Sequence, residues 1–284
     1  MEKFYKFAGV EIAVSIPEDR MYPDDRSLAP FAVDNVTDPH RFAFGCVDTL
    51  EAPKGSAIAV DSGFRVYDEG EWTARYIGSV QESWETAYIR AAHRGKEHRV
   101  QLKAAQFPDR IGAKTVLNCL SAEHLVAQNR GFIFHSSYME RKGEAILFTA
   151  PSGTGKSTQA ALWERLRGAE IINGDRSAVC VENRAVLACG VPFAGSSQIC
   201  KNKTLPLAAI VYLKQAAVTS IRRLRGSEAF RRVWEGCSVN AWDREDVCLV
   251  SETVQQVLAD VPVFELACTP DESAIIALEG VLTR

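Results

Sequence analysis

The chain has 284 residues, of which 46 % are hydrophobic and 24 % charged, with 36 acidic and 33 basic side chains and a net charge of −3. This composition is typical of one large or two modest globular domains, and the balanced charge argues against a nucleic-acid or anionic membrane partner. The longest apolar run, around residues 205–213, is too short to span a membrane, and the first residues contain no apolar segment of signal-peptide length. We therefore expect a soluble, cytoplasmic protein.

The eight cysteines are scattered along the chain and form no CxxC pair. Several lie among apolar neighbours, as Cys180 does between Val179 and Val181. Scattered, buried thiols are typical of a reducing compartment, so we expect free cysteines rather than a disulfide framework or a zinc site.

Residues 1–110 predict a β-rich N-terminal domain. Alternating hydrophobic residues, interrupted by turn residues, predict strands over 10–16, 41–47, 64–67, 72–77, 88–91 and 98–102. Residues 68–71 read as a hairpin turn between two of these strands. No recognisable catalytic motif occurs in this half, so its role stays open.

Residues 111–284 predict a second domain in which strands and helices alternate. Helices are expected over 113–129, 159–167, 227–237 and 243–259 and after residue 269, with strands over 132–137, 145–148, 170–172, 177–181, 185–189, 206–213, 219–224 and 263–267. Gly168 is expected to end the second of these helices. Thr269 and Pro270 are expected to begin the last one as N-cap and first helical residue. Trp163 and Phe230 occupy apolar helical positions and are expected in the core.

The most informative segment is Ala150-Pro-Ser-Gly-Thr-Gly-Lys-Ser-Thr158, which follows a predicted strand and precedes a predicted helix. This order is the context of a Walker A phosphate-binding loop, in which backbone amides and the positive helix terminus converge on phosphate groups. Ala150 occupies the first glycine position of the motif, and the remaining positions match. We expect nucleotide binding by residues 152–158, that is Ser152, Gly153, Thr154, Gly155, Lys156, Ser157 and Thr158. Lys156 would reach the β- and γ-phosphates, and the Ser157 hydroxyl would bind Mg²⁺.

An acidic residue follows this helix earlier than in most nucleotide-binding loops of this kind. Asp175 lies just after the short strand 170–172, in the sequence Asn173-Gly-Asp-Arg176, with predicted hairpins on both sides. Those hairpins indicate a mixed sheet. Asp175 could bind Mg²⁺, take a proton from an acceptor hydroxyl, or simply cap amides in a turn. Arg176 could clamp a phosphate or form a surface ion pair.

The layout resembles the HPr serine kinase family, whose nucleotide-binding core is shared with phosphoenolpyruvate carboxykinases. The residues that carry the resemblance are Phe134-His-Ser136, the loop 150–157, Gly174-Asp-Arg176, and the later runs 190–197 and 202–213. The similarity covers about residues 113–284. It implies an α/β fold with the mixed-sheet P-loop kinase core of HPr kinase/PEP carboxykinase type over residues 111–284, beside the β-rich domain 1–110. HPr kinases are oligomeric, so a homo-oligomer is also compatible with the resemblance.

The sequence departs from HPr kinases at two places. They carry two adjacent aspartates before the arginine, whereas this chain has Gly174 before Asp175. Their basic substrate-facing loop is replaced by residues 198–203, where Lys201 and Lys203 either neutralise charge in the site or lie in a solvated loop. HPr is therefore not the expected substrate, and related kinase-like proteins act on serine in peptides.

The resemblance also draws attention to two further features. His135 could act as a base, could orient Asp175 or the acceptor, or could be a histidine buried in the core. The turn formed by Gly195, Ser196 and Ser197 could bind an anion or be a flexible connection. The arginines between residues 222 and 232 are interleaved with a single aromatic residue, Phe230, so this stretch is not expected to be a nucleic-acid site.

The sequence therefore predicts a kinase, with Lys156, Asp175 and His135 as catalytic residues and Ser157 and Asp175 as metal ligands. It would use ATP or GTP with Mg²⁺ to phosphorylate a hydroxyl, expected to be serine or threonine of a peptide or protein. Two alternatives remain: a nucleotide-binding sensor or scaffold without phosphotransfer, and a kinase with a small-molecule acceptor. A carboxykinase is less favoured because no additional His and Lys metal cluster is visible.

Overall fold

The computed structural model describes residues 2–19, 26–61, 63–79, 84–92, 95–107 and 111–282, without the side chains of residues 79, 84, 85, 92 and 196. It is a mixed α/β protein with two sheets that each combine parallel and antiparallel strands. The chain forms two compact units. The first comprises Met1–Lys6 and Val10–Ser121, and the second comprises Phe7–Gly9 and Ala122–Arg284.

The first unit is built on a sheet of order β3-β1-β2-β4-β9-β8-β7-β6-β5. Its strands are β1 (Glu2–Phe7), β2 (Val10–Ser15), β3 (Ala32–Val33), β4 (His40–Val47), β5 (Ala57–Val60), β6 (Phe64–Asp68), β7 (Trp72–Ser79), β8 (Trp84–Ala92) and β9 (Glu97–Lys103), followed by helix α1 (Ala113–Cys119). All six strands predicted here are present, and the hairpin turn lies between β6 and β7 as expected. The sheet is mixed because β4 pairs in parallel with both β2 and β9.

The second unit contains the remaining elements. Its helices are α2 (Ala122–Gln128), α3 (Lys156–Arg167), α4 (Gly226–Trp234), α5 (Arg244–Asp260) and α6 (Glu272–Leu282). Its strands are β10 (Gly131–Arg141), β11 (Glu144–Thr149), β12 (Glu170–Asn173), β13 (Arg176–Glu182), β14 (Ala185–Gly190), β15 (Thr204–Gln215), β16 (Ser220–Leu224), β17 (Cys237–Ser238) and β18 (Val263–Cys268).

The long strand β10 organises this second sheet. Its first half pairs with β13 and β17, and its second half pairs with β12 and β11. The order β10-β13-β14-β15 is closed by the parallel pairing of β11 with β15, so these strands form a ring. β18 and then β16 extend the sheet beyond β15. The expected mixed sheet is thus present. β12 and β13 both pair with β10, one after the other along its length, and residues 174–175 lie between them.

Two apolar cores stabilise the second unit. Helices α3 and α6 contribute Trp163 and Leu278 to one core, which also contains Phe148 of β11. Helices α2, α4 and α5 pack around the other core, which contains Phe132 and Phe134 of β10. Burying each such side chain contributes roughly 1.5–3 kcal/mol, so β10 and β11 are firmly held where they reach the turn that precedes α3. Trp163 is a core residue as predicted, whereas Phe230 is partly buried against the second core.

Three details differ from the sequence-based prediction. The single helix expected over 113–129 is two helices, because the positive φ of Ser121 (50°) interrupts the helical conformation between α1 and α2. The helix expected over 227–237 ends at Trp234, and Cys237 instead joins β17 beside β10. Helix α6 begins at Glu272, and the carboxylate of Asp271 rather than Thr269 accepts the first-turn amide of Ser273 at 2.9 Å.

All eight cysteines are free, as the sequence predicted, and five of them are buried. Within the described ranges, each helix is too short or too polar to cross a bilayer.

A buried ion pair joins α2 to α5. His124 Nδ1 lies 2.7 Å from Asp246 Oδ1, and Asn240 donates to the other carboxylate oxygen at 2.7 Å. Asp246 is only 1 % exposed. Although burial lowers the pKa of His124, its hydrogen bond to Asp246 and the charges of Asp246, Asp243 and Glu245 raise it above its ordinary value. The imidazolium form is therefore favoured by folding.

The pH dependence of stability follows from this raised pKa. The stabilisation that His124 contributes is complete below its ordinary pKa of 6.5 and is lost as pH rises through the higher folded value. A hydrogen bond to a charged group is worth about 1.5–3 kcal/mol, so we expect His124→Gln to cost about 2 kcal/mol at pH ~5.5 and distinctly less at pH ~8.5. Urea unfolding of both proteins at the two pH values measures the difference. An equal cost at both values would contradict a charged pair.

Candidate functional site

The turn between β11 and α3, residues 150–155, is shaped by its glycines. Gly155 has φ 116, a left-handed backbone that would strain any residue with a Cβ. Ala150 does not share this conformation and is only 6 % exposed, so the alanine in the first glycine position of the motif fits its backbone without strain. The strand–turn–helix order expected from the sequence is present.

The N-terminus of α3 is open to an anion. Gly155 precedes the helix without a side-chain cap, and the first bond within the helix runs from the Gln159 amide to the Gly155 carbonyl at 2.9 Å. The amides of Lys156, Ser157 and Thr158 have no acceptor within the helix, which leaves a partial positive charge at this end.

Lys156 adds a buried cation at the same place. The residue is 8 % exposed, and its Nζ donates to the Ala150 carbonyl at 3.0 Å. In the described parts of the chain no carboxylate lies within ion-pair distance of this amine, and burial lowers its pKa while the charge of Asp175 partly opposes that shift. A desolvated cation without a counter-ion is costly. An anion placed at the start of α3 would relieve that cost.

Asp175 lies in the break between β12 and β13, where the pairing with β10 brings it to this site. The register places Arg176 opposite His135, and the amide of Ser136 donates to the Asp175 carbonyl at 3.1 Å. Asp175 Oδ1 is 3.5 Å from His135 Nε2. The Ser157 hydroxyl donates to the carbonyl of Gly174 at 3.3 Å, so the start of α3 is tied directly to the residue before Asp175.

A fully buried side chain, Asn173, holds this break in place. Its Oδ1 accepts the amides of Asp175 at 2.9 Å and Arg176 at 3.0 Å. Its Nδ2 donates to the carbonyls of Val191 at 2.9 Å and Phe193 at 3.2 Å. One amide side chain therefore bonds four backbone groups. It also connects the segment after β14 to Asp175.

We expect Asn173→Ala to destabilise the protein by about 3 kcal/mol, because the change leaves buried amides and carbonyls without partners. Urea unfolding measures the loss, and Gln255→Ala, an exposed amide on α5, serves as the control that should stay within about 0.5 kcal/mol of wild type. A cost for Asn173→Ala no larger than that of the control would contradict the role of this amide.

The segment after β14 approaches Asp175 closely. Gly195 has φ 55, and a Cβ there would lie 2.5 Å from the Asp175 Cβ. A Cβ on Gly174 would lie 2.3 Å from the Ser197 hydroxyl. A side chain at Gly195 would displace the Asp175 side chain and strain the backbone, and one at Gly174 would displace the Ser197 side chain. Gly195 and Ser197 lie in one short helical turn, and the side chain of Ser196 is outside the described structure.

His135 is not a core residue. Its side chain is 40 % exposed and faces Asp175, while its backbone amide donates to the Gly236 carbonyl at 2.7 Å. Burial and the charge of Lys156 lower the pKa of His135 below its ordinary value, and Asp175 partly opposes them. The neutral ring thus presents a nitrogen beside the carboxylate.

Arg176 lies between two carboxylates. Its Nη1 is 3.7 Å from Glu123 Oε1 on α2, and its Nε is 3.7 Å from Asp175 Oδ2. Its guanidinium also lies 5.7 Å from the centre of the Phe193 ring. Of the two roles considered for Arg176, these contacts correspond to the surface ion pair. Glu123 has no sequence motif that marks it, since it comes from a helix more than fifty positions earlier in the chain.

Lys201 and Lys203 lie elsewhere. Lys201 pairs with Glu170 at 2.7 Å, and Lys203 pairs with Glu170 at 2.7 Å and also with Glu140. Hydrogen bonds from Lys201, which has the larger effect, and from Lys203 lower the pKa of Glu170 to about 2. Their charges are therefore already matched by carboxylates on β10 and β12, and the alternative in which they neutralise charge in the site is not supported.

The other predicted nucleotide-binding residues surround the open end of α3. Ser152, Gly153 and Thr158 are exposed and Thr154 is half-buried. The carbonyl of Thr154 accepts a hydrogen bond from the Gln215 side chain at 3.4 Å, which fixes the turn to the end of β15. The structure thus brings together residues 152–158, His135 and Asp175.

Comparisons with known proteins add little to this geometry. No protein-family model matches the chain, and no curated protein matches it. Among solved structures, the HPr(Ser) kinase/phosphatase from Coxiella burnetii is 11 % identical, covers 53 % of this chain and 93 % of its own, and has a TM-score of 0.29. A likeness this weak carries no argument about fold or function. The kinship with HPr kinases expected from the sequence stays a prediction.

Proposed function

We propose that this chain binds ATP or GTP with Mg²⁺ and transfers the γ-phosphoryl group to a hydroxyl, with serine or threonine of a peptide or protein as the favoured acceptor. Lys156 carries the proposal. Among the described residues this buried ammonium has no carboxylate within ion-pair distance, and the three amides that begin α3 have no acceptor within the helix, so the place fits a polyphosphate in charge and in hydrogen-bonding capacity.

The donor atoms beside the turn also fit Mg²⁺. The Ser157 hydroxyl and the Asp175 carboxylate are hard oxygen ligands, and they are linked through the bond from Ser157 to the Gly174 carbonyl. Asp175 is 36 % exposed, so its carboxylate is accessible. These two residues would hold the ion, which supplies neutralisation of phosphate charge when bound. Few protein ligands are needed, because Mg²⁺ in such sites keeps several waters.

The residues of this chain have separable tasks in the proposed reaction. The turn amides and Lys156 bind the phosphates and offset the charge that develops as the acceptor oxygen bonds to the γ-phosphorus and the bridge to the β-phosphate breaks. The acceptor proton passes to the Asp175 carboxylate, which His135 orients from 3.5 Å, and the nucleoside diphosphate leaves. Positioning and charge stabilisation suffice for this step, since no covalent enzyme intermediate forms.

One observation favours the alternative of a nucleotide-binding sensor without transfer. The second carboxylate of HPr kinases would lie at position 174, where a Cβ would be 2.3 Å from the Ser197 hydroxyl. The Ser197 side chain thus occupies the space that a second acid at position 174 would need, and Gly174 supplies no carboxylate beside Asp175. A small-molecule kinase remains the other alternative, because a small acceptor needs the same phosphate chemistry.

The experiment combines binding with transfer. Calorimetry with Mg-ATP and Mg-GTP measures binding, and γ-labelled nucleotide with serine- and threonine-containing peptides and small alcohols measures transfer. Binding with label on an acceptor supports the kinase. Binding without label on any acceptor supports the sensor. The absence of heat with both nucleotides would overturn the proposed function altogether.

A further inference from the structure

Arg176, the next residue along the chain, could bind the Asp175 carboxylate in competition with Mg²⁺. The guanidinium is 3.7 Å from the carboxylate, a long contact between two side chains that are each about one-third exposed (37 % and 36 %). An arginine fork can bind a carboxylate through two parallel hydrogen bonds at shorter distance. Asp175 in that state would have its oxygens occupied by the arginine.

Glu123 lies beside another nitrogen of the same guanidinium. It is 25 % exposed, and its Oε1 is 3.7 Å from Arg176 Nη1, the same distance that separates the arginine from Asp175. Two carboxylates, each nearest to a different nitrogen, therefore share the charge of one guanidinium. Removing Glu123 leaves Asp175 as the remaining carboxylate within ion-pair distance of Arg176 among the described residues.

The helix that carries Glu123 is firmly placed. The next residue, His124, is bonded to the buried Asp246 of α5 at 2.7 Å. Asn240 fixes the second oxygen of that carboxylate at 2.7 Å. Glu123 is thus presented to Arg176 from a helix whose position is fixed by a buried contact, although the two residues are distant in sequence.

We propose that Glu123 is a positioning residue that shares the charge of Arg176 and so prevents the guanidinium from closing into a two-point contact with Asp175, which leaves the Asp175 carboxylate accessible to Mg²⁺ with the nucleotide. This inference rests on the proposed function, and it concerns how closely Arg176 approaches the Asp175 carboxylate. Arg176 need not touch the phosphates for Glu123 to matter.

The test uses Glu123→Gln, which removes the charge and keeps the shape. The Mg²⁺ concentration needed for half-maximal strengthening of ATP binding, followed by calorimetry, should rise about two- to fivefold. ATP affinity in excess EDTA and the melting temperature should not change. Glu252→Gln, an exposed acid on α5 without an ion-pair partner in the described chain, is the matched control and should behave as wild type.

Removing the arginine as well supplies the decisive comparison. In an Arg176→Gln background, Glu123→Gln should leave the Mg²⁺ requirement unchanged, because the competitor is gone. A Mg²⁺ requirement that rises equally in both backgrounds, or in neither, would overturn the inference. Crystal structures of wild type and Glu123→Gln decide the matter without nucleotide: a shortened, two-point contact between Arg176 and Asp175 supports it, and an unchanged distance refutes it. A wild-type protein that binds no nucleotide refutes the proposed function instead, and the structural comparison still decides the role of Glu123.

Discussion

Replacing Lys156 with methionine should measurably weaken nucleotide binding and lower phosphoryl transfer by roughly 10²- to 10³-fold, the usual effect of removing one charge-stabilising donor from a transition state. The reason is the isolation of this amine. It is 8 % exposed, its hydrogen bond goes to the neutral Ala150 carbonyl, and burial has already lowered its pKa. Methionine keeps the length and apolar volume of the side chain while removing the charge.

The same substitution should leave the fold intact. Removing a desolvated charge that lacks a counter-ion is often neutral or stabilising, so the melting temperature of Lys156→Met should equal or exceed that of wild type. Lys214→Met, on an exposed lysine of β15, is the control and should retain binding and transfer. Transfer by Lys156→Met within a few-fold of wild type would remove the main support for the proposed function.

The parts of the site that follow one another along the chain could be predicted from the sequence. A strand, a turn whose Gly155 needs a left-handed backbone, and an amphipathic helix are each specified by nearby residues, so the open helix N-terminus beside Lys156 could be expected. The mixed sheet was also predictable, because hairpin signals on both sides of Asp175 exclude a wholly parallel arrangement.

The supporting contacts could not be predicted, because they join distant segments. Asn173 reads as a turn residue, yet it is buried and also binds carbonyls about twenty positions later. Glu123 reads as an ordinary helical acid until the fold brings Arg176 to it. Lys201 and Lys203 were open to two interpretations because their partners lie on other strands. Pairing across a sheet depends on register, which single-sequence patterns specify weakly.

The break at Ser121 shows a local limit of the same kind. Apolar spacing continues through residues 113–129, so the pattern predicts one helix, whereas the positive φ of Ser121 divides it. A serine carries little signal for such a backbone. The division places Glu123 and His124 in the first turn of the second helix.

Asp175→Asn should separate metal binding from nucleotide binding. The asparagine matches the carboxylate in shape, which matters because Gly195 already lies against this side chain. We expect ATP affinity in EDTA to persist, the strengthening by Mg²⁺ to disappear, and transfer to fall roughly 10²- to 10³-fold, because one side chain is proposed both to bind the ion and to accept the hydroxyl proton. Calorimetry with and without Mg²⁺ and the γ-label assay measure the three quantities.

Asp175 is the acid that we propose as both metal ligand and proton acceptor, so the control changes an acid outside the site. Asp260→Asn, on an exposed acid at the end of α5, should change none of the three quantities. The neighbouring position, Gly174, carries no acid that could share these roles, and the Ser197 side chain lies where a Cβ would be. If Asp175→Asn kept its response to Mg²⁺, the metal would have to be held without this carboxylate, and the proposed roles of Asp175 and of Glu123 behind it would both be wrong. If Asp175→Asn lost the Mg²⁺ response while the wild-type protein transferred no label to any acceptor, a magnesium-dependent nucleotide sensor would be favoured instead.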